Sequence, residues 1–203
     1  RLKKYKKAIE YYKQAFELDE NSSSILWSII KIKNHLGLDI EKDTIQYLKQ
    51  AIEIDNQPRL FGFCFHGEEC IKKKNYKIAI YFYKKALNID TNSSLSYARI
   101  GRCFFEQKNY SEAIAQLRTS IKIDPNEEFS YNNYDSANYC LGQVLNKCGD
   151  YEHALFSLLI ADKLHPNNIF INREILRTYK FLENQEKINE YLDKIDKLEK
   201  ESQ

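Results

Sequence analysis

Large apolar and small side chains recur along this chain at the three- and four-residue spacing of a helix face, and whole blocks of that pattern recur after 34 residues. Between Ser94 and Glu127 one face carries Tyr97, Ile100, Gly101 and Phe104, and a second carries Tyr110, Ala113, Leu117 and Ser120. Each set lies on one side of a helix with 3.6 residues per turn. The string Asn109-Tyr110-Ser111-Glu112-Ala113-Ile114 stands 34 residues after Asn75-Tyr76-Lys77-Ile78-Ala79-Ile80. Looser copies appear at Tyr5-Lys6-Lys7-Ala8-Ile9 and Tyr151-Glu152-His153-Ala154-Leu155. The blocks close alike, at Leu18-Asp19, Ile54-Asp55, Ile89-Asp90, Ile123-Asp124 and Leu164-His165, and Pro125 and Pro166 follow two of these endings. Proline has no N–H to continue a helix, so it marks a turn into the next block. The pattern predicts helices in tandem pairs and an all-α fold.

Period, small-residue slots and Asp-Pro ending together resemble the tetratricopeptide repeat. The resemblance covers nearly the whole chain in about five and a half copies and implies an α-solenoid, a right-handed superhelix of antiparallel helix pairs. On its register residues 1–22 are the second helix of a truncated repeat, 23–59 a divergent repeat, and 60–93, 94–127 and 135–168 good repeats. Residues 128–134 are an insertion, and 169–203 form a degenerate C-terminal capping repeat. Gly67, Gly101 and Gly142 would let the first helix of a pair approach the second, where Ala79, Ala113 and Ala154 are small in turn. A single pair cannot bury its apolar stripe, so stability is expected from stacking on neighbours. The divergent copy has Ile30 at the glycine slot, Thr44 at an alanine slot, and extra residues near Gly37-Leu38-Asp39. The insertion region contains Phe129, Tyr131 and Tyr134, and the last unit has Leu176 at the glycine slot. Arg1 to Asp19 presents Ile9, Tyr12 and Phe16 with no first helix before it, and the chain holds no methionine. Both facts suggest a piece of a longer protein.

Composition narrows the function. With 31 basic against 29 acidic residues, the chain as a whole has no field to draw it onto nucleic acid or a membrane surface. No apolar run is long enough to span a bilayer, so no membrane insertion is expected. Five scattered cysteines fit buried thiols in a reducing intracellular compartment, the cytoplasm or a ciliary or organellar assembly.

The tetratricopeptide resemblance implies a protein-interaction module whose first helices line a concave groove for a peptide or helical segment of another subunit. By register the groove residues are Phe61, Phe65, Lys72, Arg99, Arg102, Tyr139, Lys147, Arg173 and Arg177, with Trp27, Lys31, Glu68, Phe105, Gln143, Phe170 and Lys180 in neighbouring slots. Such a stripe is aromatic and basic and would favour acidic and apolar partner residues. Packing between neighbouring first helices is the competing role for the aromatics. The carboxylate clamp with which some family members hold heat-shock-protein tails needs a Lys, Asn, Asn, Lys, Arg set. The matching slots here read Trp27, Lys31, Phe65, Leu95 and Arg99, of which Arg99 alone agrees, and the later registers fit no better; no such clamp is expected.

Catalytic signals are absent from the sequence: it has no glycine-rich phosphate loop, no Gly-x-Ser-x-Gly and no His-Glu-x-x-His. Cys64, His66 and Cys70 approach zinc-ligand spacing but occupy core slots and lack a fourth ligand. No cofactor or metal is expected. Two other readings stay open: an RNA-binding helical-repeat protein, disfavoured by the near-neutral charge, and the targeting domain of an enzyme whose catalytic part lies outside this sequence.

Overall fold

The computed structural model describes residues 2–35, 46–47, 50–51, 53–54, 60–126 and 136–201. Among them stand ten helices and no strand: α1 Leu2–Leu18, α2 Ser23–His35, α3 Leu60–Lys72, α4 Tyr76–Ile89, α5 Ser94–Glu106, α6 Tyr110–Ile123, α7 Ala137–Cys148, α8 Tyr151–Leu164, α9 Ile169–Phe181 and α10 Gln185–Glu201. Residues 46–47, 50–51 and 53–54 are also helical. The fold is an all-α solenoid of helix pairs. It divides into two compact units, Arg1–Thr91 and Asn92–Gln203. Thr44, the extra residues at Gly37-Leu38-Asp39 and the 128–134 insertion with Phe129, Tyr131 and Tyr134 lie outside the described residues.

In the first unit, Ile9 of α1, Leu26 and Ile29 of α2 and Ala51 form a core cluster, with Phe16, Trp27 and Tyr47 packed against it. Ile30, at the divergent glycine slot, is buried as well. The pair α3–α4 packs closely because Gly67 leaves room for the Tyr83 ring: a Cβ on residue 67 would lie 2.7 Å from Tyr83 Cε2 and Cζ. The Tyr83 hydroxyl then donates to Glu68 Oε1 at 2.7 Å, so a tyrosine can be buried there without losing its polar partner.

In the second unit α5–α6, α7–α8 and α9–α10 are the tightly packed pairs, and α6–α7 and α8–α9 join one pair to the next. The first helices also touch one another, α5 with α7 and α7 with α9. One core cluster unites Ala113 and Leu117 of α6 with Leu141, Val144 and Leu145 of α7 and Ala154 of α8. The next unites Tyr139 of α7 and Leu158 of α8 with Ile171 and Ile175 of α9 and Tyr191 and Ile195 of α10. Because α7 serves both clusters its first two turns are buried all round, residues 136–142 without a break, while Gln143 and Lys147 further on are not. Burying each large apolar side chain contributes about 1.5–3 kcal/mol, so the stacking interfaces stabilise the array far more than any isolated pair could.

Local chemistry sets the ends. Ser93, Ser136, Asp150 and Asn168 cap α5, α7, α8 and α9 by accepting backbone N–H bonds through their side chains. Four helix-to-helix turns use one left-handed residue each: Lys74, Lys108, Gly149 and Glu183. In each, the following residue's N–H reaches back five residues, as from Asn109 to the Phe104 carbonyl at 2.9 Å, which closes the first helix of the pair in a Schellman arrangement.

The last pair differs at its centre. Leu158 sits over Gly142, but in the last pair the glycine slot holds Leu176 opposite Leu192, the residue of α10 equivalent to Leu158. Leu192 is accordingly 40% exposed, while Tyr191 and Ile195 take the buried positions. Most charged residues of α10 are exposed, with Lys187, Lys194 and Glu199 half-buried.

Candidate partner-binding face

Three touching first helices, α5, α7 and α9, carry one residue each at the position just after the glycine slot: Arg102, Gln143 and Arg177. Arg102 and Gln143 are half-buried and Arg177 is exposed. The Arg177 guanidinium stands 4.0 Å from Glu174 Oε1 and 5.8 Å from the centre of the Phe181 ring. Phe181 in turn stacks on Tyr151, centroid to centroid 4.6 Å with the planes 9° apart. This Arg177–Phe181–Tyr151 ladder leaves Phe181 48% exposed; Arg177 is among the groove residues read from the sequence, whereas the pairing with Phe181 and Tyr151 is not. The signal for Phe181 was available in the sequence, since it lies four residues after Arg177 and hence on the same helix face.

The other expected groove residues fall into distinct situations. Lys147 is exposed at the end of α7. Arg173 is exposed and donates to Glu199, tying α9 to α10. Arg99 differs from expectation: only 9% of it is exposed, so its aliphatic stem packs in the protein rather than offering a fork to a ligand. Tyr139 differs as well. Its ring belongs to the α7–α10 core cluster and its hydroxyl accepts from Gln143 Nε2 at 3.0 Å, which makes it a support for Gln143. Among the neighbouring slots Phe170 is 40% exposed.

Phe61, Phe65 and Lys72 belong to the first unit. The Phe61 side chain lies outside the described residues. Phe65 is 54% exposed and meets His66 edge-on at 5.7 Å. Lys72 bonds Glu69 at 2.9 Å, and that hydrogen bond holds the Glu69 carboxyl below its ordinary pKa. Trp27 lies flat on His66, with centroids 4.6 Å apart and planes 5° apart, and His66 stacks in turn on buried Phe82 at 5.4 Å. His66 is therefore a packing element between α2, α3 and α4, and its pKa is lowered by burial, with Glu69 acting weakly the other way. Among the described residues no three His, Cys, Asp or Glu side chains converge as a metal ion requires. Cys70, Cys103 and Cys140 are buried, and Cys148 is exposed.

A buried polar junction lies behind the face. Asn146 of α7 donates to Thr178 Oγ1 at 2.8 Å and to Glu174 Oε1 at 2.9 Å, and the Thr178 hydroxyl also meets the Glu174 carbonyl at 2.9 Å. It fixes α9 against α7 and holds the Glu174 carboxylate beside Arg177. The resulting surface presents arginine side chains beside exposed aromatic rings.

Helix pairs stacked in tandem, with a polar and aromatic row on touching first helices, define an α-solenoid of the helical-repeat class. Two family models match the chain. One, described as tetratricopeptide repeat, matches residues 1–22, and one, described as anaphase-promoting complex, cyclosome, subunit 3, matches residues 72–161. The chain belongs to the tetratricopeptide-repeat family. Solved structures agree in fold. A crystal structure of MamA superposes with TM-score 0.65 at 20% identity over 88% of this chain and 92% of that one. MamA from Desulfovibrio magneticus RS-1 gives 0.65 at 17% over 88% and 96%. YrrB, described as a TPR protein with an unusual peptide-binding site, gives 0.60 at 18% over 94% and 93%. No curated protein matches. No described helix is long and apolar enough to cross a membrane.

Proposed function

We propose that this chain is a protein-interaction scaffold whose second unit holds a segment of another subunit across α5, α7 and α9, favouring acidic and apolar side chains. The observation that carries this is the row Arg102, Gln143 and Arg177 on three touching helices, with Lys147 and Arg173 exposed on two of the same helices. Exposed Phe170 and Phe181 stand on α9. Arginine supplies bidentate contacts to carboxylates, and flat aromatics supply desolvated anchors at little entropic cost. Phe65 and Lys72 are proposed as partner contacts of the first unit's own face. The match to a model named for a subunit of a complex supports a role inside a multi-protein assembly, and the peptide-binding site in the name of YrrB supports a segment as ligand. Members of the family are typically non-catalytic interaction modules.

The test is affinity purification from the source cell with Arg102→Glu and Arg177→Glu combined, beside Arg118→Glu on α6 as a control. Arg99 and Arg173 are left alone, because one is buried and the other braces α10, so changing them would test folding. Loss of one specific partner in the double variant alone supports the proposal. Retention of every partner would remove the function from this face.

A further inference from the structure

Arg102, Gln143 and Arg177 hold one repeat position on three helices that touch in series, α5 with α7 and α7 with α9. The steps between them are therefore set by the spacing of the helices. Packed helices lie about 8–10 Å apart, which puts Arg177 about 16–20 Å from Arg102, with Gln143 midway. An extended chain advances about 3.3 Å per residue and returns a side chain to the same side at every second residue. Six residues, about 20 Å, carry an extended segment from one arginine to the other and bring a side chain back to the row, whereas four span only about 13 Å and five turn the side chain away. Charge makes the two end positions acidic. Together α5, α7 and α9 hold only Glu106 and Glu174 as acidic residues, and Glu174 is already committed to Asn146 at 2.9 Å. Arg177 stands 4.0 Å from that carboxylate, beyond hydrogen-bond length. A guanidinium has five N–H donors, so one neighbouring carboxylate exhausts neither Arg177 nor Arg102.

The middle of the row selects backbone. Gln143 Nε2 donates to the Tyr139 hydroxyl at 3.0 Å, and Tyr139 is buried, so the carboxamide is braced by a fixed partner. Its oxygen remains an acceptor. A helical segment spends its N–H groups on its own carbonyls, whereas an extended segment leaves them to be bonded from outside. A helix laid across the same row would also need acidic residues about eleven positions apart at 1.5 Å per residue, and it would bring Gln143 no donor from its backbone. Resting on the reading of this face as the partner site, we infer that its ligand is an extended segment with two acidic residues six positions apart, one for Arg102 and one for Arg177, and that a backbone N–H near the middle of the segment donates to Gln143 Oε1.

Fluorescence anisotropy of the full chain with labelled peptides of alanine and serine tests this. The peptides carry two glutamates four or six positions apart, or eleven apart in an alanine-rich helical background, and further copies of the six-spaced peptide are N-methylated at each central peptide bond in turn. The six-spaced peptide is expected to bind about tenfold more tightly than the other two, and Arg102→Glu and Arg177→Glu should each weaken it by about tenfold, with Arg118→Glu on α6 neutral. One methylated copy should bind the wild type several-fold more weakly than the parent peptide yet bind Gln143→Leu as well as the parent does, since that variant has no acceptor to lose. Circular dichroism melts of every variant separate loss of binding from loss of fold. Equal binding of all spacings, preference for the eleven-spaced helix, a methylation effect that persists in Gln143→Leu, or no binding of any peptide up to millimolar concentration overturns the inference. If the two arginine changes still release the cellular partner in those cases, the face stands as the partner site and only its ligand is different; if peptide and partner both ignore the arginines, the reading of the face falls as well.

Discussion

Leu117 of α6 rests on the backbone of Gly101 in α5, where a Cβ on residue 101 would lie 2.7 Å from Leu117 Cγ and 3.2 Å from the Ala113 carbonyl oxygen. The carbonyl is backbone and cannot turn aside, so Gly101→Leu forces the two helices apart. Overpacking of this kind costs about 1–3 kcal/mol or more, and urea unfolding should show the second unit destabilised by at least that. Gly101→Ala sets two effects against each other, because alanine improves helix propensity by about 1 kcal/mol over glycine. It should still be net destabilising, and Gly101→Ala combined with Leu117→Ala should be less destabilised than the sum of the two changes. Unchanged stability in Gly101→Leu would refute the close approach.

The four left-handed turn residues allow a comparison within one chain. Lys74, Lys108 and Glu183 hold φ values of 58°, 61° and 54°, a region that disfavours side chains, whereas Gly149 holds 80° at the same place in its repeat. A left-handed non-glycine residue costs about 1–2 kcal/mol, partly offset by the greater entropy glycine loses on folding. Lys108→Gly should therefore stabilise by about 0.5–1 kcal/mol, and Gly149→Lys should destabilise by a similar amount. Nothing lies within 4 Å of a Cβ on Gly149, so backbone strain and not crowding is what thermal melts of the two variants would report.

Helix pairing was legible in the sequence because its causes are local. Gly67, Gly101 and Gly142 recur with Ala79, Ala113 and Ala154, and close helix contact needs small residues at those slots and nowhere else. Which groove residues face a ligand was less legible. Slot number places Arg99 and Tyr139 on the right helices, but whether a side chain is covered depends on its neighbours. Tyr139 meets Ile171 and Ile175 of a helix whose approach is set by other residues. Arg177 and Phe181 share one helix face and could be paired from their spacing, but the Phe181–Tyr151 stack and the Asn146–Thr178 pair join residues of different helices, so no single-helix pattern announces those two.

The Asn146–Thr178 pair predicts a coupled response. Thr178 is fully buried, yet its hydroxyl keeps the Glu174 carbonyl as a partner when Asn146 is removed. Asn146→Ala should cost about 1–3 kcal/mol, the range for leaving buried polar groups unpaired and opening space. Thr178→Val, which keeps the volume, should cost about 1 kcal/mol. The double variant should cost less than the two together, since each single change strands atoms that the double change removes. Chemical denaturation of the three variants measures the coupling; strict additivity would mean that the two residues stabilise α7 and α9 independently.

His66 contributes to the pH dependence of the first unit. Its ring lies between Trp27 and Phe82, and burial lowers its pKa below the ordinary 6.5. A protonated ring over Trp27 would gain cation–π attraction, about 0.5–1 kcal/mol at an exposed site, and Glu69 acts in the same direction, but loss of hydration outweighs both. As pH falls, the unfolded chain takes up its proton first. The stabilisation is therefore complete above the unfolded pKa near 6.5 and is lost as pH falls through the lowered folded value. Melting of the wild type should decline over that window more than melting of His66→Phe, which keeps a stacked ring and has nothing to protonate. The imidazole of His66, followed by NMR, should titrate below 6.5. A value above it would mean that Trp27 and Glu69 hold the charged form against burial, and the variant's melting curve would then diverge from the wild type's in the opposite sense.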